Sequence, residues 1–239
     1  MTIASHKNPR LRDLKRLHRR RGREQSRLFM AEGEDLIAAA LSAGWPLRQG
    51  FRVAGLRTPS DDFMEVSAQA LAEVSSLGSG TRMIGVYEQR WLPEPFGPLC
   101  VYLHGVGDPG NIGTVLRSAL AFGASCVALG PDCADPYSPK AVRASMGAIF
   151  AVPIARVEDP ARLPGQRVAL VAGRGESLAS IEGDALTLLV GAEREGLPEQ
   201  LIEQCQRVCH IPIANESLNA AMAATIALYE CCRQPGTGG

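Results

Sequence analysis

Three short stretches combine polar side chains with glycine and proline in patterns suited to ligand binding and catalysis. The first is Asp108-Pro109-Gly110-Asn111-Ile112-Gly113-Thr114-Val115-Leu116-Arg117. Asn111 suits a helix cap, Ile112, Val115, Leu116 and Leu120 recur as a buried helical stripe, and Arg117 leaves from another side. The second, Gly191-Ala192-Glu193-Arg194-Glu195-Gly196-Leu197-Pro198, follows the apolar run Leu186–Val190. Glycine at the carboxyl end of a strand lets a ligand approach the backbone. The third, Ile211-Pro212-Ile213-Ala214-Asn215-Glu216-Ser217-Leu218-Asn219, reads as a strand end, a turn and a helix start, with Ser217 or Asn219 available as a cap. Taken singly, each is also ordinary turn chemistry.

A fourth pattern competes with these. Gly105-Val106-Gly107-Asp108-Pro109-Gly110, with Asp132 downstream, fits the GxGxxG fingerprint of a nicotinamide-nucleotide site. That fingerprint needs helix running through its third glycine, whereas Pro109 and Asn111 read as a turn and a cap that delay the helix. The dehydrogenase reading is therefore the weaker one.

The elements that must hold these stretches follow from hydrophobic periodicity. Strands are expected at Leu99–Leu103, Cys126–Leu129, Val168–Val171, Leu186–Val190 and Val208–Ile213. Helices are expected from Asn111, from Ser138, near Pro198 and from Leu218, the last repeating Leu218, Met222, Ile226 and Tyr229. This alternation predicts an α/β domain with a mostly parallel sheet. Pro93, Pro95, Gly97 and Pro98 break any regular element. They divide the chain into residues 1–92, a linker at 93–97 and a second domain at 98–239. In the first part, Asn8-Pro9 starts a helix with Leu11, Leu14 and Leu17 on one face. A strand at 28–31, a helix at 35–41 ending near Gly44 and a strand at 51–53 make this a small α/β unit.

Net charge is zero over 239 residues, yet residues 1–30 hold ten Lys and Arg against Asp13 and Glu24. Arg10, Arg12, Lys15, Arg16, Arg19, Arg20, Arg21 and Arg23 give the first helix and its extension a cationic face able to neutralise several phosphates. An RNA partner is expected. With 46% hydrophobic residues, no apolar run of about 20 residues and no apolar core after the basic N-terminus, the expectation is a cytoplasmic protein without a membrane span. Seven cysteines without a CxxC pair predict free buried thiols and no metal site.

In this order the three stretches resemble the signature motifs of the SpoU (TrmH-like) family of RNA 2′-O-ribose methyltransferases. Asp135 through Gly147 is similar to the segment between those motifs, so the likeness spans roughly residues 99–232. Asn8-Pro9 through Phe29-Met30-Ala31-Glu32-Gly33 is similar to the substrate-binding domain that often precedes the catalytic one, which itself resembles certain ribosomal proteins.

The resemblance implies a SPOUT fold whose C-terminal segment threads a trefoil knot around S-adenosylmethionine. It places cofactor-holding backbone at Gly191, Ile211 and Leu218, and catalytic or substrate-orienting side chains at Asn111, Arg117, Glu193, Ser217 and Asn219. It implies a homodimer in which one subunit completes the other's site. The preceding module points to 23S rRNA ahead of transfer RNA; a catalytically silent ribosome-assembly factor is the alternative from another class. Family proposals make the arginine at position 117 the base, but a guanidinium pKa above about 12 leaves little neutral form. Holding a neighbouring phosphate and stabilising the developing alkoxide is an equal account, with Glu193 orienting Arg117 or accepting the proton. Three departures stand out. Arg194 and His104 replace a common glycine and a common acid, and only three residues, none glycine, separate Ile213 from Ser217.

Overall fold

The computed structural model describes residues 2–5, 7–58, 60, 62–77, 80–214 and 218–233. The chain forms two compact units, Met1–Gln89 with Asp135–Phe150, and Arg90–Ala134 with Ala151–Gly239.

In the first unit, helix α1 (Pro9–Leu17) begins as its sequence dictates. The Asn8 side chain accepts from the Arg10 N–H, Pro9 occupies the first turn, and Leu11, Leu14 and Leu17 are buried. The helix does not continue through the basic run. The chain turns at His18–Arg19 and a separate α2 (Arg20–Ser26) folds back. A Cβ on Gly22 would stand 2.1 Å from the Arg16 carbonyl oxygen, so glycine is what permits this approach.

Strand β1 (Leu28–Glu32), α3 (Glu34–Ser42), β2 (Gln49–Val53), β3 (Phe63–Val66), α4 (Ala68–Ala72) and β4 (Met83–Glu88) follow. The sheet order is β1-β4-β2-β3, with β4 antiparallel to both neighbours and β2 parallel to β3. Its core joins Leu11, Leu14 and Leu17 to Met30, Phe51 and Ile84.

The second unit opens with β5 (Leu99–Leu103), α5 (Pro109–Ala121) and β6 (Cys126–Leu129). After α6 (Pro139–Ala144), which belongs to the first unit, come β7 (Ile154–Arg156), β8 (Gln166–Leu170), β9 (Glu176–Ser177) and β10 (Leu186–Val190). Then come α7 (Glu199–Glu203), β11 (Arg207–His210) and α8 (Ala220–Arg233). The seven-stranded sheet runs β7-β6-β5-β10-β8-β11-β9, and every pairing is parallel. Every residue of β5, β6 and β10 is buried, as expected of strands covered on both faces. The expected α/β class with a mostly parallel sheet is what the chain adopts. β11 is shorter than the run 208–213 because it stops before Pro212, which has no N–H for a ladder.

Within the first unit, Asp135–Phe150 completes the core. The rings of Phe29, Trp45, Tyr87, Tyr137 and Phe150 pack with centroids 4.7 to 6.0 Å apart, and Trp45 Nε1 donates to the Phe150 carbonyl at 2.8 Å. Arg23 is only 3% exposed. Its guanidinium holds Asp135 Oδ2 through Nη2 at 2.7 Å and Nε at 2.8 Å, and donates to the carbonyls of Leu17 and His18. Arg23 therefore leaves the set of cations open to phosphate, because its donors are spent on a buried carboxylate and a helix end. Arg10, Lys15, Arg16, Arg19, Arg20 and Arg21 are exposed.

All seven cysteines are free; Cys100, Cys126, Cys209 and Cys231 are buried and Cys232 is exposed. Burial pushes the Cys209 thiol up to about 11 and the Cys231 thiol to about 12, holding both protonated. Among the described residues no helix is long and apolar enough to cross a membrane. Nor do three or more His, Cys, Asp or Glu side chains gather as a metal set.

Candidate cofactor and catalytic site

The first stretch is organised by Asp108 rather than Asn111. The Asp108 carboxylate accepts from the N–H groups of Gly110 and Asn111 at 2.5 and 3.3 Å, and the helix starts at Pro109. Proline is well placed at a first helical position and Asp108 serves donors that have no intrahelical partner. The expected delay of the helix to Asn111 does not occur, so that ground for refusing the dinucleotide fingerprint fails. Capping by Asp108 releases the Asn111 side chain for another task. Leu120, expected in the buried stripe, is 50% exposed.

The released amide joins all three stretches. Asn111 Nδ2 donates to Glu193 Oε1, and Asn219 Nδ2 donates to Asn111 Oδ1 at 3.2 Å. Asn219 also caps α8, its Oδ1 accepting from the N–H groups of Ala221 and Met222 at 3.0 and 3.3 Å. The cap and the site contact are thus made by one side chain. Residues 111, 193 and 219 form a continuous polar relay with the Glu193 carboxylate at its end. Ser217 lies outside the described residues. Arg117 is exposed on α5 and makes no ion pair or hydrogen bond among the described residues. Six residues past Asn111, it projects about 120° around the helix from it.

Beside the relay is a cavity of about 330 Å³ at the carboxyl ends of β8, β10 and β11. Gly191, Ile211 and Leu218, the three expected cofactor positions, all line it, together with Glu193 and Arg194. Parallel α/β sheets bind ligands at this edge. Gly191 has a further reason to be glycine, since an added Cβ would stand 2.2 Å from the Gly196 carbonyl carbon. The loop closes on itself there, with Gly196 donating to the Ala192 carbonyl at 2.9 Å and Gly196 at φ +68°.

Gly191→Ala forces backbone against backbone, a strain of about 1–3 kcal/mol. We expect cofactor affinity to fall at least about tenfold, measured by calorimetry. Gly107→Ala is the control, because a Cβ at Gly107 meets nothing within 4 Å. Equal affinity in both variants would show that the loop geometry is not required.

His104 is structural in its contacts, its ring Nδ1 lying 3.4 Å from the hydroxyl of the buried Tyr102. Burial raises that phenol to about 12. Asp108 is the residue that sequence reasoning missed. Its signal was the Asp-Pro pair itself, a cap followed by a first-turn proline.

Comparison with known proteins agrees with this geometry. The SpoU rRNA Methylase family matches residues 98–229, and the MRM3-like substrate binding domain matches residues 8–85. The 23S rRNA (guanosine(2553)-2′-O)-methyltransferase RlmP of Bacillus subtilis is 28% identical, covering 95% of this chain and 97% of its own length. The 23S rRNA (uridine(2479)-2′-O)-methyltransferase of Streptomyces viridochromogenes is 30% identical over 93% of this chain and 88% of its own. The crystal structure of an AdoMet-bound rRNA methyltransferase from Sinorhizobium meliloti superposes with a TM-score of 0.86 at 31% identity, covering 98% and 97% of the two chains.

A parallel sheet with a cofactor-sized cavity at its carboxyl edge, lined by the second and third motifs and joined to the first through Asn111, defines a SPOUT-class RNA methyltransferase that uses S-adenosylmethionine. The chain belongs to the SpoU rRNA methylase family. The dinucleotide reading falls with that membership.

S-adenosylmethionine suits the residues present. The volume lies within the usual range for small-molecule sites, and Leu197, Ile211 and Leu218 supply apolar walls beside exposed backbone of the 191–196 loop.

Proposed function

We propose that this chain methylates a ribose 2′-hydroxyl in 23S rRNA. The observation that carries the reading is the coincidence of Gly191, Ile211 and Leu218 on one cavity with the Asn111–Glu193–Asn219 relay at its side. S-adenosylmethionine supplies a methyl group already activated by its sulfonium, which leaves the protein to align the ribose and manage its proton. Arg117 stays cationic, holds the adjoining phosphate and stabilises charge on the ribose oxygen. Glu193, oriented by Asn111 and Asn219, presents a carboxylate for the displaced proton. The exposed Arg10, Lys15, Arg16, Arg19, Arg20 and Arg21 hold RNA through its backbone. In this division of labour residues 1–92 grip the RNA, 93–97 join, and 98–239 catalyse. The reading includes a trefoil knot, since β10 and β11 insert between strands formed earlier in the chain, and a cytoplasmic location, supported by the free thiols.

Incubation with radiolabelled S-adenosylmethionine and 23S rRNA should transfer label, and mass spectrometry should place it on ribose. Label on transfer RNA alone would move the substrate; RNA binding without transfer to either would favour an assembly factor.

We further propose a homodimer built on α5 and α8. Leu120, Met222 and Tyr229 are 50, 56 and 50% exposed on these two helices, which are tied by a Ser118–Thr225 hydrogen bond of 2.6 Å. Arg117 lies one turn from Leu120, where a second copy would receive it. Sedimentation should give twice the chain mass, and Met222→Glu should yield monomers with little activity. A fully active monomer would overturn this arrangement.

A further inference from the structure

We propose that Arg194 binds the carboxylate of the cofactor's methionine moiety, an inference resting on the reading that the cavity holds S-adenosylmethionine. The bridge between Ala192 and Gly196 closes the loop so that Glu193, Arg194 and Glu195 occupy its turn, and all three line the cavity. Arg194 is the cation among the described lining residues; apart from Glu193 and Glu195, the rest of the wall is backbone and apolar side chains such as Leu170, Val171 and Ile213. Neighbouring guanidiniums are committed elsewhere, Arg174 to Glu199 at 2.8 Å and Arg207 to Glu176 at 2.6 Å. Arg194 makes no ion pair or hydrogen bond among the described residues.

The charges of the loop complement those of the cofactor. S-adenosylmethionine carries a sulfonium, an ammonium and a carboxylate; the loop turn carries two carboxylates around one guanidinium. A planar guanidinium fits a carboxylate with two parallel hydrogen bonds. A phosphate of the RNA offers similar anionic oxygens, but Arg194 lines the cavity read as the cofactor's, and the adjoining Glu195 suits a zwitterion with excess positive charge better than a polyanion.

Calorimetry of the full chain with S-adenosylmethionine and with its decarboxylated analogue, which keeps the sulfonium and amine, tests this. Wild type should bind the carboxylate-bearing cofactor roughly five- to tenfold more tightly, a preference limited by solvent exposure. Arg194→Ala should lose that preference through weaker binding of S-adenosylmethionine alone, leaving the analogue unchanged. Equal weakening of both ligands, no change in either, or a loss confined to RNA binding would each overturn the assignment. Wild type that binds S-adenosylmethionine without preference overturns this inference alone. Wild type that binds neither ligand overturns the cofactor reading as well.

Discussion

Arg117→Ala should lower the rate of methyl transfer by about 10²–10³ while changing cofactor affinity less than about twofold. The size follows from removing a preorganised cation from the place where the ribose oxygen gains negative charge. The selectivity follows from position. Arg117 is exposed on α5, does not line the cofactor cavity and has no ion pair to leave broken among the described residues. Single-turnover transfer at saturating cofactor, with calorimetric affinity measured in parallel, separates the two effects. Arg117→Lys should recover only part of the rate, because a point charge does not reproduce the forked contact to a phosphate. A variant that retains wild-type turnover would remove Arg117 from the reaction.

Arg23→Ala should destabilise the fold by about 3–5 kcal/mol, the usual cost of leaving one member of a buried ion pair unpartnered. Asp135 is then left with its charge 7% exposed, and the carbonyls of Leu17 and His18 lose a donor. For a chain of this size the expected drop in melting temperature is roughly 10 °C, read by circular dichroism. RNA affinity measured well below that melting temperature should be nearly unchanged. Arg19→Ala or Arg21→Ala should do the reverse, sparing stability and lowering the salt dependence of RNA binding by about one counterion each. An Arg23 variant of normal stability but weak RNA binding would return this residue to the RNA-facing set.

Those two arginines show how far local pattern reaches. Arg117 and Arg23 both stand on helices with definable faces. Yet the basic run is interrupted at His18–Arg19, and that bend turns Arg23 inward toward a residue 112 positions away in the chain. No strand is assigned from sequence within residues 54–89, which contain β3 and β4. β3 has only four residues, and β4 carries Gly85 at its centre, where a strand would ordinarily be weakened. Glycine is needed there because a Cβ would lie 2.7 Å from the ring of Tyr87, its neighbour two residues along the same face of the strand. β7, with three residues, falls below what periodicity can register.

Read alone, the sequence determined the parts governed by near neighbours. These are the capped and proline-led start of α1, the apolar runs of β5, β6 and β10, and the three motifs that mark the family. The family likeness carried by those motifs also pointed to Gly191, Ile211 and Leu218, which line one cavity in the structure. Only the tertiary structure decided that Asp108 rather than Asn111 caps α5, and that Asn111 is thereby free to join Glu193 and Asn219. Those partners are 82 and 108 residues distant in the chain. Their meeting depends on the order β5-β10-β8-β11 in the sheet, which long-range strand pairing sets and no local window contains.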